Sequence, residues 1–257
     1  MKSKSRSLAE TALPWGTKDS PRVELNAQDQ DRSLWKYRQI VEKDGKTLTF
    51  EIMETREGEV HRLLLVDGEP LSVKGRQSED ARIENLLANP DEFQNKQKNA
   101  QHDAEQSRTL LKLLPQAFLY EYDRTEGELV KLKFRPNPDF HATNHESEVF
   151  HHMEGSLVVD QRQDRLAELD GRPVTPVKFW DGLLGHLDKG GTFCVKQRNV
   201  GGGHWEMTEL DVQMSGKALF FKMVSVRERQ IDSDFQPLPE HTTLKQAEEL
   251  LAVNSGS

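Results

Sequence analysis

From Trp35 onward the chain reads as closely spaced β-strands broken by acidic-Gly turns, and this spacing limits the fold more than any other feature. The run "WKYRQIVEKDGKTLTFEIMETREGEVHRLLLVDGEP" holds three apolar segments separated by "KDGK", "REGE" and "VDGEP". Asp-Gly and Glu-Gly at such breaks are hairpin signals, because glycine supplies the positive φ that a tight turn needs. Leu48, Phe50 and Ile52 alternate with Thr49 and Glu51, the pattern of a strand with one wet face. A three-stranded meander is expected here.

A polar helical insertion follows, over about residues 78–115. Ser78 with Glu79 and Asp80 suits an N-cap and an acidic first turn. Pro90 after Asn89 marks a second helix start. Stepping from Phe93 by fours and threes meets Gln97, Ala100, Ala104, Ser107, Leu111 and Leu114. This is a narrow, small-residue stripe on a charged helix, which Pro115 is expected to end. A helix of that kind rests on other elements without forming the centre of a core.

The β pattern returns at Phe118 and persists to about Ile231. Val130, Leu132 and Phe134 alternate with Lys131, Lys133 and Arg135. The segments "GSLVVDQ", "RLAELDG", "VTPVKFW", "GTFCVKQRNV", "HWEMTELDVQ" and "ALFFKMVSVRERQ" follow, separated by turn residues. Trp205 and Met207 are out of phase with Leu210 and Val212, which places a bulge near Thr208–Glu209. The sum is roughly nine to eleven strands, antiparallel because the connections are too short for crossovers. The fold class is mainly β with a helical insertion. Residues 1–32 read as a polar arm, 33–232 as a single domain and 233–257 as a tail with a short helix. No internal repeat is visible.

Composition narrows the function classes. The formal net charge is −8, and no Lys/Arg cluster rises above the surrounding acids. Nucleic acid is therefore not an expected partner, since its affinity comes mainly from neutralised phosphates. The same holds for electrostatic docking to anionic lipid. Cys194 is the lone cysteine, so there is no internal disulfide and no zinc ribbon. No stretch approaches the apolar length of a membrane-spanning helix. The basic start "MKSKSRSLAETALPWG" lacks the apolar core of a signal peptide.

Four histidines, His141, His145, His151 and His152, fall within "FHATNHESEVFHHMEG". His141 and His145 have i, i+4 spacing, yet "PNPDFHATNHES" is turn chemistry and offers no helix. His151 and His152 are adjacent, so in a strand they point to opposite faces. The His-Glu-x-x-His metalloprotease pattern is absent. Turn and strand-edge histidines are expected, and the alternative is a metal-dependent hydrolase. Cys194 lies inside strand-like "TFCVKQ" with no local base, and there is no Gly-x-Ser-x-Gly. "GGGHW" precedes a strand and lacks the Lys-Ser/Thr ending of a phosphate loop, so a hairpin tip is expected. No catalytic residue, metal ligand or cofactor is assigned.

What remains is an apolar surface. Trp35, Phe50, Leu132, Phe134, Leu157, Phe193, Trp205 and Phe221 supply large side chains to the strands. A curved sheet with more apolar area than a thin polar helix can cover would leave a hydrophobic ligand cavity. The alternative is an ordinary packed interior on a protein-recognition or sensor module.

Several stretches resemble an uncharacterised bacterial family of the outer-membrane lipoprotein carrier (LolA/LolB-like) superfamily. They are "FRPNP" at 134–138, "MEGSLVVD" at 153–160, "LDKGGTF" at 187–193 and the Gly-x-x-Trp entry at 202–205, with "VDGEPLS" upstream. The resemblance covers roughly residues 33–232 and implies an antiparallel sheet curved into an open half-barrel, with helices across its concave face. It further implies a non-enzymatic, periplasmic or cell-envelope protein whose partner is a hydrophobic ligand, either a lipid or an acylated protein. The eight apolar residues named above would then line the ligand site.

Overall fold

The computed structural model describes residues 33–144, 146–179, 185–218 and 225–253. The expected N-terminal arm, His145 and Phe221 lie outside the described residues. The chain begins with β1 (Leu34–Lys43), β2 (Lys46–Thr55), β3 (Gly58–Val66) and β4 (Glu69–Pro70), then α1 (Val73–Ala88) and α2 (Pro90–Ala117). Next come β5 (Phe118–Glu126), β6 (Leu129–Pro136), a 3₁₀ helix (Glu146–His152), β7 (Met153–Asp160) and β8 (Arg165–Pro173). The chain continues through β9 (Val177–Phe179), β10 (Gly185–Leu187), β11 (Thr192–Gly201), β12 (His204–Ala218), β13 (Ser225–Leu238) and α3 (Leu244–Val253). Among the described residues there are thirteen strands, more than the sequence pattern suggests, because β4, β9 and β10 are too short to show alternation.

The strands form one large antiparallel sheet in the order β4-β3-β2-β1-β13-β12-β11-β8-β7-β6-β5. A β9–β10 hairpin attaches to the far end of β12, where Leu187 pairs with Gly216. The first and last strands pair along most of their length, from Leu34↔Leu238 to Lys43↔Glu228. The sheet is not closed: β4 and β5 are its free edges, and the α1–α2 pair is the covalent link between them. The acidic-Gly turns behave as their chemistry requires. Asp44 and Gly45 take φ of 52° and 75°, and Asp67 and Gly68 take 53° and 82°. The bulge also lies where the phase change puts it: β11–β12 register passes from Lys196↔Glu209 to Gln197↔Met207, leaving Thr208 as the extra residue.

Adjacent strand residues face opposite ways, so Ile52 and Met53 sample the two sides of the sheet. Both are fully buried. Met53 and Val60 pack against Ile83 of α1 and against Ala247 and Leu251 of α3. Ile52 packs on the other side with Trp35 and Tyr37, joined by Phe50, Val200 and Phe235. The expected wet face of β2 is thus covered at this end by α1 and α3, and Thr49 is buried with it. Beyond Ile231, where the sequence alternation fades, β13 runs on to Leu238, which packs beside Met53.

The larger core lies on Ile52's side at the opposite end of the sheet. Val130, Leu132, Phe134, Met153, Leu157, Val159 and Leu169 meet Phe118, Phe140 and Phe150. Four leucines from the last turns of α2, Leu110, Leu111, Leu113 and Leu114, pack onto this cluster. Gly155 and Gly171 pair with each other, opposite Phe134 and Phe193 respectively. A Cβ on Gly155 would stand 1.9 Å from the Asp170 carbonyl oxygen and 2.7 Å from Cζ of Phe134. The glycine in "MEG" therefore makes room for an aromatic ring.

Three local expectations need correction. Helix α1 starts at Val73, capped by Ser72, whose side chain accepts the Gly75 N–H at 3.1 Å. Ser78, Glu79 and Asp80 lie inside it, and the two acids serve the sheet: Glu79 accepts the Leu63 N–H, and Asp80 pairs with buried Arg62. Pro115 sits in the last turn of α2, which ends at Ala117, rather than after it. His151 and His152 belong to the 3₁₀ helix, not to a starting strand. Ser147, fully buried, nucleates that helix by exchanging hydrogen bonds with Asn144 and accepting the Thr143 N–H.

Leu251→Ala should lower the unfolding free energy by about 2–5 kcal/mol, read as a lower urea midpoint, because α3 holds its face of β2–β3 through few side chains. Gly155→Ala should be at least as damaging, since the clash is with backbone.

Candidate functional site

Hydrogen-bonded partners in a sheet project to the same side, so the registers trace complete rows across it. One row runs Val66–Leu48–Val41–Gln230–Leu210–Val195–Leu169–Leu157–Leu132–Tyr122. It is apolar except at Gln230 and lies on the same side as Ile52 and Phe134. Leu132, Leu157 and Leu169 are buried, whereas Val41, Leu48, Val195 and Leu210 are only half-buried. The middle of this face is therefore incompletely covered. Val200 of β11 packs against the Trp35–Ile52 cluster on β1–β2, although three strand spacings, about 14 Å on a flat sheet, separate β11 from β1. The sheet curls toward its apolar side.

The sequence-selected residues fall on this side in two groups. Leu132, Phe134 and Leu157 belong to the large cluster, with Phe193 packed against it. Trp35 and Phe50 belong to the smaller one. Trp205 stands between them, 8% exposed, its indole N–H donating to Gln163 Oε1 at 2.7 Å. Trp35 meets His204 edge-on at 5.6 Å and Phe235 at 6.2 Å. The structure places these seven on one face without bringing them into one cluster. Leu210 and Val195, which bridge the two groups, were not singled out from the sequence, because a medium-sized aliphatic residue in a strand is equally expected of an ordinary core.

Polar residues missed by the sequence pattern interrupt this face at the β1–β13 pair. Asp232 is only 7% exposed and lies opposite Gln39. Its Oδ2 accepts from Gln230 Nε2 at 2.8 Å, while its Oδ1 has no hydrogen-bond partner among the described residues. Burial pushes the carboxyl above the usual Asp range, against the opposing pull of Gln230 and Gln39. Tyr37 beside it is driven far above the ordinary phenol value, first by burial and then by Glu59, Glu54, Asp232 and Glu206. No strand alternation announces Asp232, because "RQIDSDFQ" is polar at nearly every position.

The opposite face carries charge. Its parallel row reads Ile40–Ile231–Glu209–Lys196–Glu168–Val158–Lys131–Arg124. Lys196 pairs with Glu209 at 2.8 Å, and Arg229 reaches Glu209 at 3.4 Å. Cys194 sits here at the edge of a cleft of about 840 Å³ that Asp170, Arg172, Lys131 and Lys133 also line. Burial, and then Asp170, push its thiol up to about 12. Burial and the same Asp170 raise the Glu168 carboxyl. A thiol so protonated, facing carboxylates, is no nucleophile.

The described histidines of this stretch have separate partners. His141 is exposed, His151 packs on the Phe140 ring at 5.5 Å, and His152 Nδ1 bonds Thr175 Oγ1 at 2.6 Å. Burial and His151 lower the His152 pKa. Among the described residues no group of three or more His, Cys, Asp or Glu side chains is arranged to hold a metal ion. No described helix is long and apolar enough to cross a membrane. No family model and no curated protein matches the chain.

Cys194 should resist alkylation: with its thiol near 12, the thiolate at pH 8 is on the order of 10⁻⁴ of the population. Iodoacetamide should label the denatured chain readily and the native chain hardly at all. Asp232 gives a second expectation. A carboxyl whose folded pKa is raised favours folding only while protonated, and that contribution is lost as pH rises through the folded value. Asp232→Asn should therefore raise the urea midpoint at pH 7.5, and the gain should vanish below the ordinary value of 3.8.

Proposed function

We propose that this is a non-enzymatic cell-envelope protein that holds the acyl chain of a lipid or lipoprotein on the apolar side of an open half-barrel. The observation that carries the proposal is the cross-sheet apolar row, half-buried through Val41, Leu210 and Val195 while both ends of the same face are packed. An extended hydrocarbon chain fits such a strip, and each methylene it buries contributes about 0.8 kcal/mol. Ten of them would supply roughly 8 kcal/mol before the costs of association. No chemistry is needed. The resemblance to the lipoprotein-carrier superfamily supports the same ligand class and a periplasmic setting.

Helix α2 supplies the cover in this proposal. Its first turns hold Phe93 buried, and Gln97 stands against Gly58 and Glu59 of β3. Its last turns carry the four leucines that pack at the β5–β8 end. Between these ends, residues 98–109 are exposed on every side of the helix. We read α2 as a strap across the concave face, anchored at its two ends and unsupported between them. A ligand can enter beneath such a segment without dismantling a core. On the opposite face, Lys196, Glu209 and Arg229 form close ion pairs that turn the middle strands toward water.

The test is native mass spectrometry of the delipidated protein with long-chain acyl glycerols and acylated peptides. One acyl chain should bind per protein, and Leu210→Glu should weaken it at least about tenfold while leaving the far-UV spectrum unchanged. A protein that takes up no acyl ligand would instead be a recognition or sensor module with a packed interior.

A further inference from the structure

The apolar face carries a polar island that packing does not explain. Gln39, Gln230 and Asp232 meet at the β1–β13 pair in the middle of an otherwise apolar strip. Tyr37 adjoins them on the same face of β1. Gln197 of β11 lies at the same level, one residue beyond the Ile231–Glu209–Lys196 row and about 10 Å, or two strand spacings, from Asp232. Two atoms of this group are buried acceptors with no hydrogen-bond partner among the described residues: Asp232 Oδ1 and Gln197 Oε1. Buried acceptors without donors are disfavoured, and an anionic group brought beside Asp232 and the nearby Glu59 would be repelled. Separate hydroxyl or amide N–H donors would satisfy the two atoms.

We propose that Asp232 and Gln197, with Gln39 and Gln230 beside Asp232, receive the hydrogen-bond donors of an uncharged ligand head. The ligand class is then a neutral acyl amphiphile bearing hydroxyl or amide N–H groups. This rests on the acyl-binding function proposed above and names the head that accompanies the chain. The head lies between Asp232 and Gln197, from β13 to β11, and the tail leaves past Val195 toward the Leu157–Leu132 cluster. Asp232 thereby sets both the register of the ligand and its selectivity. In this proposal the carboxylate on a hydrophobic floor is matched by the donors it meets there.

The experiment compares two probes that share one medium-length acyl chain: a monoacylglycerol, rich in donors, and the fatty-acid methyl ester, which has none. Isothermal titration calorimetry below the micelle concentration gives both affinities for the wild-type chain, Asp232→Leu and Gln197→Leu. The wild-type should bind the monoacylglycerol about tenfold tighter than the ester. Asp232→Leu should abolish the preference while holding the ester as well as the wild-type does; Gln197→Leu should reduce it. Should the leucine variant fail to fold, Asp232→Asn, which keeps the shape and removes the charge-assisted acceptor, should shrink the preference at least threefold. Equal wild-type affinities, or a preference that survives both changes at Asp232, would overturn the head-group assignment and leave acyl binding standing. Failure of the wild-type to bind either probe would overturn both.

Discussion

The pairing of β1 with β13 is the contact on which the rest of this structure depends. It joins the first strand to the last, so the N-terminal meander and the C-terminal strands become one sheet. With those two strands at the centre, the free edges fall to β4 and β5, which are consecutive in the chain apart from α1 and α2. The helical pair must then travel from one edge of the sheet to the other. Its length, its polar middle and its two packed ends all answer that requirement. The same pairing sets Asp232, which is buried, opposite half-buried Gln39.

How much of this could be read from the sequence depended on whether the signal was local. The turns at Asp44-Gly45 and Asp67-Gly68 were legible because a positive φ has a short chemical signature. The bulge at Thr208 was legible because it throws two apolar pairs out of phase. Pro90 marked a helix start for the same kind of reason. The Ser72 cap was missed because Ser78 with two acids after it matches the capping pattern better, whereas Glu79 and Asp80 are spent on Leu63 and Arg62 of β3. The covered second face of β2 was invisible for a similar reason: α3, some two hundred residues away, supplies the cover. The 3₁₀ helix escaped notice because Ser147 organises it through short-range bonds that no periodicity reveals.

The candidate site shows the same division. Large apolar side chains on alternating strands identified Leu132, Phe134, Leu157, Trp35 and Phe50, and the registers put them on one side. Their grouping into two packed ends with a thinner middle followed from curvature and from the position of α2, neither of which is written in any one strand. Asp232 shows the limit most clearly. In sequence it is one acid among several in "RQIDSDFQ", and only the partner strand makes it a buried carboxyl. On the charged face, by contrast, Lys196, Glu209 and Arg229 form close ion pairs, and burial, followed by Asp170, raises the Cys194 thiol pKa. The sheet thus has a charged face, covered at its β2–β3 end by α1 and α3, and a face with incompletely covered apolar area.

The most direct test of that division is a crystal structure of the delipidated protein soaked with an acyl chain brominated at its tail. The account predicts an anomalous bromine peak on the apolar face, between Val195 and the Leu157–Leu132 cluster. A peak confined to the charged face, or an apolar face already filled by the protein's own side chains with no peak at all, would contradict it.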